Sequence, residues 1–165
     1  MLNDFSKMIE SLMDKYFVQK MPKLLYKSIA LYISKAGPNS LNNLSGNLLR
    51  SFKVGNRDNI FDYSISAEGL KMSYGSKVSY ALIHEEGGTI HPKITEKSRK
   101  FFWAKWYETK QGKYKGMALT QKSNFDIKIK PKRYLTNGLR YFQNEYLPQL
   151  VNEFWQELSK NITGD

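Results

Sequence analysis

The stretch IFDYSISAEGLKMSYGS, Ile60 to Ser76, decides how the middle of this chain folds. Large side chains alternate with small or polar ones on both sides of Gly69, and this period of two is typical of β-strands joined by a tight turn. The stretch therefore predicts a β-hairpin.

The chain before the hairpin is predicted to be helical. Apolar residues recur at three- and four-residue steps from Phe5 to Phe17 and again from Leu25 to Ile33, which lines one side of a helix. Pro22 lies between these stripes and fits either a kink or the first turn of a second helix. We therefore expect a bent helix or two abutting helices over residues 1–37. LSGNLLRSF, Leu44 to Phe52, then predicts a loop with a short helix.

The chain after the hairpin is predicted to be mainly extended. FFWAKWYET, Phe101 to Thr109, and FDIKIKP, Phe125 to Pro131, are rich in residues that favour strands. They predict a long basic hairpin whose loop, near Gly112 to Asn124, becomes ordered only on assembly. TIHPKI, Thr89 to Ile94, is expected at a sheet edge or in a loop because Pro92 lacks a backbone donor.

The end of the chain is predicted to return to helix. Apolar residues from Leu135 to Leu158 lie at helical spacing around Pro148, where we expect a kink, so a C-terminal helix is predicted over 133–161. The sequence contains no internal repeat, low-complexity tract or linker. It therefore predicts one α+β domain, residues 1–165, in which an antiparallel β-sheet within 44–131 is flanked by a long N-terminal helix and a C-terminal helix.

The composition excludes several kinds of chemistry. The 165 residues include no cysteine, which excludes disulfides, thiolate nucleophiles and cysteine-ligated zinc, and which suits a reducing cytoplasm. Asp4, Glu10 and Asp14 interrupt the apolar residues at the start of the chain, so these residues predict neither a signal peptide nor a membrane span.

The net charge of +11 is concentrated in one segment. Residues 97–133 hold 12 basic and 2 acidic side chains. Such a block attracts polyanions, either nucleic acid or an acidic protein surface, although a charged segment can also be a solvated face. Because alternation along a strand buries one side, we expect either Phe102, Ala104 and Trp106 or the complementary set in the core rather than stacked on bases. The candidate contacts to a polyanion or partner are Lys97, Arg99, Lys100, Lys105, Lys110, Lys113, Lys115 and Lys122.

No pattern of residues predicts catalysis. His84 and His91 are seven residues apart, which does not fit the helical zinc motif with two histidines four apart. Glu85 and Glu86 are adjacent, so their side chains diverge and are expected to lie in a charged turn. Nucleophile elbows and phosphate-binding loops are absent from the sequence. We therefore predict no catalytic residue, no metal and no cofactor.

Four segments, in order, resemble the phage virion morphogenesis and tail-completion (neck) family. LSGNLLRSF, Leu44 to Phe52, is similar to the family's segment before the first hairpin, and YALIHEEGGTI, Tyr80 to Ile90, resembles its tyrosine-alanine and glycine-glycine signature. ITEKSRKFFW, Ile94 to Trp103, resembles the family's basic turn, and IKPKRYLTNGL, Ile129 to Leu139, its approach to the last helix. The resemblance thus covers the chain from Leu44 to the C-terminal helix.

This resemblance implies a structural virion protein at the head-to-tail junction of a tailed bacteriophage, present in the host cytoplasm during assembly. Its expected partners are copies of itself in a hexameric ring, the head connector or adaptor, and tail tube or terminator proteins, with packaged DNA passing nearby. Neither a membrane nor a small-molecule substrate is expected. The positions implied to serve turns, packing and subunit contacts are Gly46, Leu48, Arg50, Tyr80, Ala81, Gly87, Gly88, Arg133 and Leu135.

Overall fold

The computed structural model describes residues 2–34, 46–66, 69–120 and 126–163. Its secondary structure is α+β, with antiparallel strand pairing and long helices at both ends of the chain, which confirms the predicted fold class. The chain packs as two compact units: unit 1 comprises Met1–Glu86 and Pro131–Asp165, and unit 2 comprises Gly87–Lys130. That residues 1–165 form one domain stays a prediction.

The N-terminal helical segment consists of α1 (Leu2–Met13), a π-helical stretch (Asp14–Lys20) and α2 (Met21–Ile33). Pro22 lies in the first turn of α2, which is the second of the two alternatives predicted for it. Proline has no N–H to continue the ladder, and the chain widens just before it: the N–H of Met21 donates to the carbonyl of Tyr16, five residues back. The predicted helical segment is confirmed as far as Ile33, and residues 35–37 lie outside the described ranges.

The C-terminal helical segment repeats this arrangement. It consists of α7 (Tyr134–Tyr141), a π-helical stretch (Phe142–Tyr146) and α8 (Leu147–Thr163), which confirms the predicted helix. Here Leu147, the residue before Pro148, donates its N–H to the carbonyl of Phe142, again five residues back. Each π-helical stretch thus ends beside a proline, where the normal hydrogen bond is missing.

Unit 1 contains two groups of buried side chains. One joins α2, the short helix α3 (Asn47–Ser51), the helix α4 (Ala81–Glu86) and α7. Its buried members are Ile29, Ile33, Leu48, Phe52, Ala81 and Tyr134. The other joins the N-terminal segment to α8 through Leu12, Tyr16, Leu150, Phe154 and Leu158.

The predicted central hairpin is confirmed. β1 (Asn59–Ser66) pairs antiparallel with β2 (Gly69–Ser76), in a register that places Asn59 opposite Ser76 and Ser66 opposite Gly69. Its base is held by polar contacts, since the Asn59 amide donates to the carbonyls of Ser51 and Gly75 at 3.1 Å each. The Tyr74 hydroxyl also donates to the Phe52 carbonyl. The hairpin is therefore fixed to α3 at one end.

Unit 2 corrects the predicted long basic hairpin. Its strands are short: β3 (Gly88–Ile90) pairs antiparallel with β4 (Ile127–Ile129). Between them lie two helices, α5 (Glu96–Thr109) and α6 (Gly112–Leu119). The prediction of a strand at Phe101 to Thr109 was therefore wrong, and so was the loop at Gly112 to Leu119; residues 121–124 lie outside the described part of the chain.

Local capping explains why α5 forms despite its strand-favouring aromatics. Thr95 is the N-cap, and its side chain accepts the backbone N–H of Ser98 at 3.2 Å while the Ser98 hydroxyl accepts the Thr95 N–H at 2.8 Å. This capping box satisfies two helix-end donors, and Glu96 adds an acidic group to the first turn. At the other end Lys110 adopts a left-handed conformation and closes the helix.

Candidate assembly surface

One face of the central hairpin is apolar from the Phe61–Tyr74 pair to the Ile65–Leu70 pair. Because successive side chains of a strand point to opposite faces, the register places large apolar and aromatic residues together on one side. These residues are Phe61, Tyr63 and Ile65 on β1, and Leu70, Met72 and Tyr74 on β2. The opposite face carries mostly small, polar or charged residues.

Ring contacts among the described residues of unit 1 cover the base of this apolar face. Tyr74 packs beside Phe52 with ring centroids 6.1 Å apart, and Phe61 packs beside Tyr74 at 6.5 Å. Further out along β1, Tyr63 is 42% exposed and Ile65 is 47% exposed. The outer half of the face therefore presents large apolar side chains to solvent.

The backbone edges of the hairpin are open as well. β1 and β2 form a two-stranded sheet, so within the described residues each strand has an edge that pairs with no other strand. Unpaired edges and exposed apolar side chains are the features by which sheets join other chains. The outer hairpin face, defined as Tyr63, Ile65, Leu70 and Met72, is our candidate assembly surface.

A second feature of unit 1 ties α4 to the start of α7. The Glu85 carboxylate accepts the backbone N–H groups of Leu135 and Thr136 at 2.7 and 3.0 Å, and the Thr136 hydroxyl at 2.5 Å. A carboxylate at a helix N-terminus satisfies free donors and complements the helix dipole. The prediction that Glu85 and Glu86 form a charged turn was therefore wrong, because both lie on α4.

Tyr134 strengthens the same junction. Its buried hydroxyl donates to the Ala81 carbonyl at 3.1 Å, and burial, aided by the charge of Glu85, raises the pKa of this hydroxyl above its usual value. The backbone N–H of Arg133 donates to the Glu85 carbonyl at 3.1 Å. Three positions that the family resemblance singles out thus meet here, namely Ala81, Arg133 and Leu135.

The remaining positions implied by the resemblance lie elsewhere. Gly46 precedes α3 and accepts the Arg50 N–H at 2.9 Å, while Leu48 is buried in the core beneath. Gly87 and Gly88 have φ of 77° and 150°, values that strain residues with a side chain.

A pocket of about 210 Å³ opens beside the α4–α7 junction. Its lining is mainly apolar, and Leu82 at its rim is 63% exposed. The pocket suits an apolar side chain better than a polar ligand. The residues that line it include Phe52, Ile60, Ala81, Leu82, Tyr134 and Leu135.

A second cleft in unit 1, of about 540 Å³, is polar. Arg50, Arg57 and Lys77 line it, and the Arg57 Nε lies 3.7 Å from an oxygen of Asp58. Such a cleft can hold an anion or a carboxylate of a partner.

The predicted polyanion contacts lie on the two helices of unit 2. Lys97, Arg99, Lys100 and Lys105 are on α5, Lys110 ends it, and Lys113 and Lys115 are on α6; Lys122 falls outside the described residues. Phe102 and Trp106 are half-buried and Ala104 is exposed, so the predicted core face of a strand is not present.

The two histidines have ordinary surroundings. His84 packs edge-on against Tyr80, and His91 Nδ1 lies 2.6 Å from a carboxylate oxygen of Asp126. Among residues 2–34, 46–66, 69–120 and 126–163, no group of three or more His, Asp or Glu could hold a metal ion. The helices in these same ranges are all too short or too polar to cross a membrane.

Sequence reasoning missed two residues that shape this region, Glu85 and Gly138. Gly138 on α7 lies so close to α2 that a Cβ added to it would stand 2.8 Å from the Ile29 Cα. A glycine inside a predicted helix is a signal of close packing, whereas the partner of Glu85 is 50 residues away along the chain.

Comparison with known proteins adds no relative: no family model, curated protein or solved structure matches the chain.

Proposed function

We propose that this chain is a non-catalytic structural protein that assembles with copies of itself, as a tail-completion or head-tail joining component of a phage neck. The observation that carries the assembly part of this proposal is the outer hairpin face. The proposed location at the phage neck is supported by four segments that resemble the tail-completion family and occur in the same order along the chain.

The outer hairpin face favours association on energetic grounds. Two-stranded hairpins are marginally stable in water unless their apolar face packs against something. Complete burial of a side chain such as Ile65 contributes about 1.5–3 kcal/mol relative to leaving it exposed. Because several such side chains adjoin one another, covering them with another subunit would stabilise both the hairpin and the assembly.

We propose that the apolar pocket beside Leu82 binds the outer hairpin face of a neighbouring subunit. Ile60 lines this pocket from one face of β1, whereas Tyr63 and Ile65 belong to the opposite face of the same strand. Because the two patches lie on opposite faces of the hairpin, they allow a head-to-tail contact. In this contact the outer hairpin face of each subunit packs against the pocket of the next. Such heterologous contacts form a ring when the rotation between subunits closes.

In this proposal the ring is hexameric and lies at the head-proximal end of the tail. Its other partners are the head connector or adaptor on one side and tail tube or terminator proteins on the other. The polar cleft lined by Arg50, Arg57 and Lys77 is available for acidic groups of those neighbours.

Electron microscopy of the purified protein, alone and mixed with phage tails, tests the proposal. We expect rings in the protein alone and added density at one end of the tails, which tails without the protein lack. A protein that stays strictly monomeric and never associates with tails would contradict it. Rings that never bind tails would support self-assembly and contradict the proposed location at the phage neck.

A further inference from the structure

Unit 2 is much more basic than the rest of the chain. Its residues Gly87–Lys130 include 11 Lys and Arg and 3 Asp and Glu, so it carries +8 of the total charge of +11. A charge of this size in a unit this small attracts polyanions over long distances.

Helix α5 places aromatic rings on its solvent side. None of its 14 residues is buried. Lys97, Lys100, Phe101, Ala104 and Tyr107 are spaced by three and four residues, so they lie on one side of the helix, and all are exposed. Phe101 is 54% exposed and Tyr107 is 62% exposed. Exposed rings grouped on one side of a helix are typical of an interaction surface.

The opposite side of α5 is occupied by contacts within unit 2. The Arg99 guanidinium donates to the carbonyls of Ala118 and Thr120, which ties α5 to the end of α6. Trp103 and Trp106 are half-buried, with ring centroids 5.6 Å apart. These contacts fix α5 with its exposed side outward, and they assign Arg99 a structural role.

The cations of the exposed side are available for a ligand. In the part of the chain that the structure describes, neither Lys97 nor Lys100 has a carboxylate partner, whereas Lys105 is paired with Glu108 at 2.6 Å. The pairing also neutralises the Glu108 carboxylate, so that Glu96 in the first turn is the other acidic group that α5 carries. The exposed side thus carries two lysines without a carboxylate partner next to two exposed rings, and the Nζ of Lys110 adds a third cation 5.4 Å from the Tyr107 ring centroid.

We infer that the exposed side of α5, formed by Lys97, Lys100, Phe101 and Tyr107, binds single-stranded nucleic acid. The two lysines neutralise phosphates, and the two rings stack on bases, which is how proteins hold single strands without reading their sequence. A polyanion that carries only carboxylates would use the lysines but would give the rings no stacking partner. A duplex would offer phosphates while keeping its bases stacked on each other.

This inference is independent of the assembly proposal, because the residues lie in unit 2 whereas the outer hairpin face lies in unit 1. Either can fail without the other.

Fluorescence anisotropy of the full chain with a labelled 20-nucleotide single strand tests it, with the matching duplex and polyglutamate as competitors. We expect the single strand to be bound most tightly. F101A and Y107A should each weaken its binding by roughly 5- to 100-fold. K100Q should reduce the salt dependence, lowering the slope of log K against log salt by about 0.7.

The matched controls are K23Q and W155A, which remove an exposed lysine and an exposed ring from unit 1. They should leave binding unchanged. Binding of the duplex or polyglutamate as tight as that of the single strand would overturn the inference, as would unchanged binding by both F101A and K100Q. Undetectable binding at 50 mM salt would also overturn it.

Discussion

The close approach of α7 to α2 gives a sharp prediction for Gly138→Ala. The added Cβ would lie 2.8 Å from the Ile29 Cα and 2.9 Å from its Cγ1, whereas carbon atoms pack at about 3.5–4.0 Å. The two helices would have to separate by several tenths of an ångström, and overpacking of this kind costs about 1–3 kcal/mol. Part of the cost is offset because alanine favours a helix over glycine by about 1 kcal/mol.

Gly75→Ala is the matched control in the same unit. A Cβ there would be 3.7 Å from the Ile60 Cδ1, an ordinary contact, and alanine in a strand gains a similar 0.5–1 kcal/mol or so over glycine. The difference between the two variants therefore isolates the clash. We expect G138A to be less stable than G75A by about 1–3 kcal/mol in urea unfolding. Equal stability of the two variants would refute the packing argument.

Three further outcomes follow from the contacts described. Glu85→Ala should lower the free energy of unfolding by about 1–2 kcal/mol because it uncaps α7, while Glu86→Ala should change it little; circular dichroism in urea measures both. The Lys15 ammonium and the Tyr16 hydroxyl lower the pKa of the Glu157 carboxyl. The carboxylate therefore stabilises the fold above the unfolded-state pKa of 4.5, and this stabilisation is lost as the pH falls through the lowered pKa. The melting temperature of E157Q should accordingly be below that of wild type at pH 7 and approach it in acid. Since the chain has no cysteine, an oxidised mixture of Ile65→Cys and Leu82→Cys subunits should give mixed dimers, and a predominance of either like pair would contradict the head-to-tail contact.

The fold was predictable where its signals were local. The alternation from Ile60 to Ser76 predicted the hairpin, and apolar residues at helical spacing predicted both terminal helices. The segment around Phe101 was predicted wrongly because the strand preference of its aromatic residues was weighed above the Thr95–Ser98 capping box. A hydrogen-bonded helix start outweighed intrinsic preference in this case.

The candidate site was less predictable, because it depends on tertiary packing. The alternation could show that Tyr63 and Ile65 share a face, but their exposure follows from how far the hairpin extends beyond its packing on Phe52. Similarly, a carboxylate at position 85 carries no sequence signal for a helix that starts about 50 residues later. The resemblance pointed to Ala81 and Leu135, which the structure places around one pocket.

The central claim is that the outer hairpin face joins copies of this chain. Sedimentation velocity of wild type, Ile65→Lys and Ser64→Lys over a range of concentrations tests it most directly, because both variants add the same charge to β1 on opposite faces. We predict a ring-sized species for wild type and S64K, and a monomer for I65K. The claim is contradicted if I65K assembles as wild type does, or if wild type remains a monomer throughout.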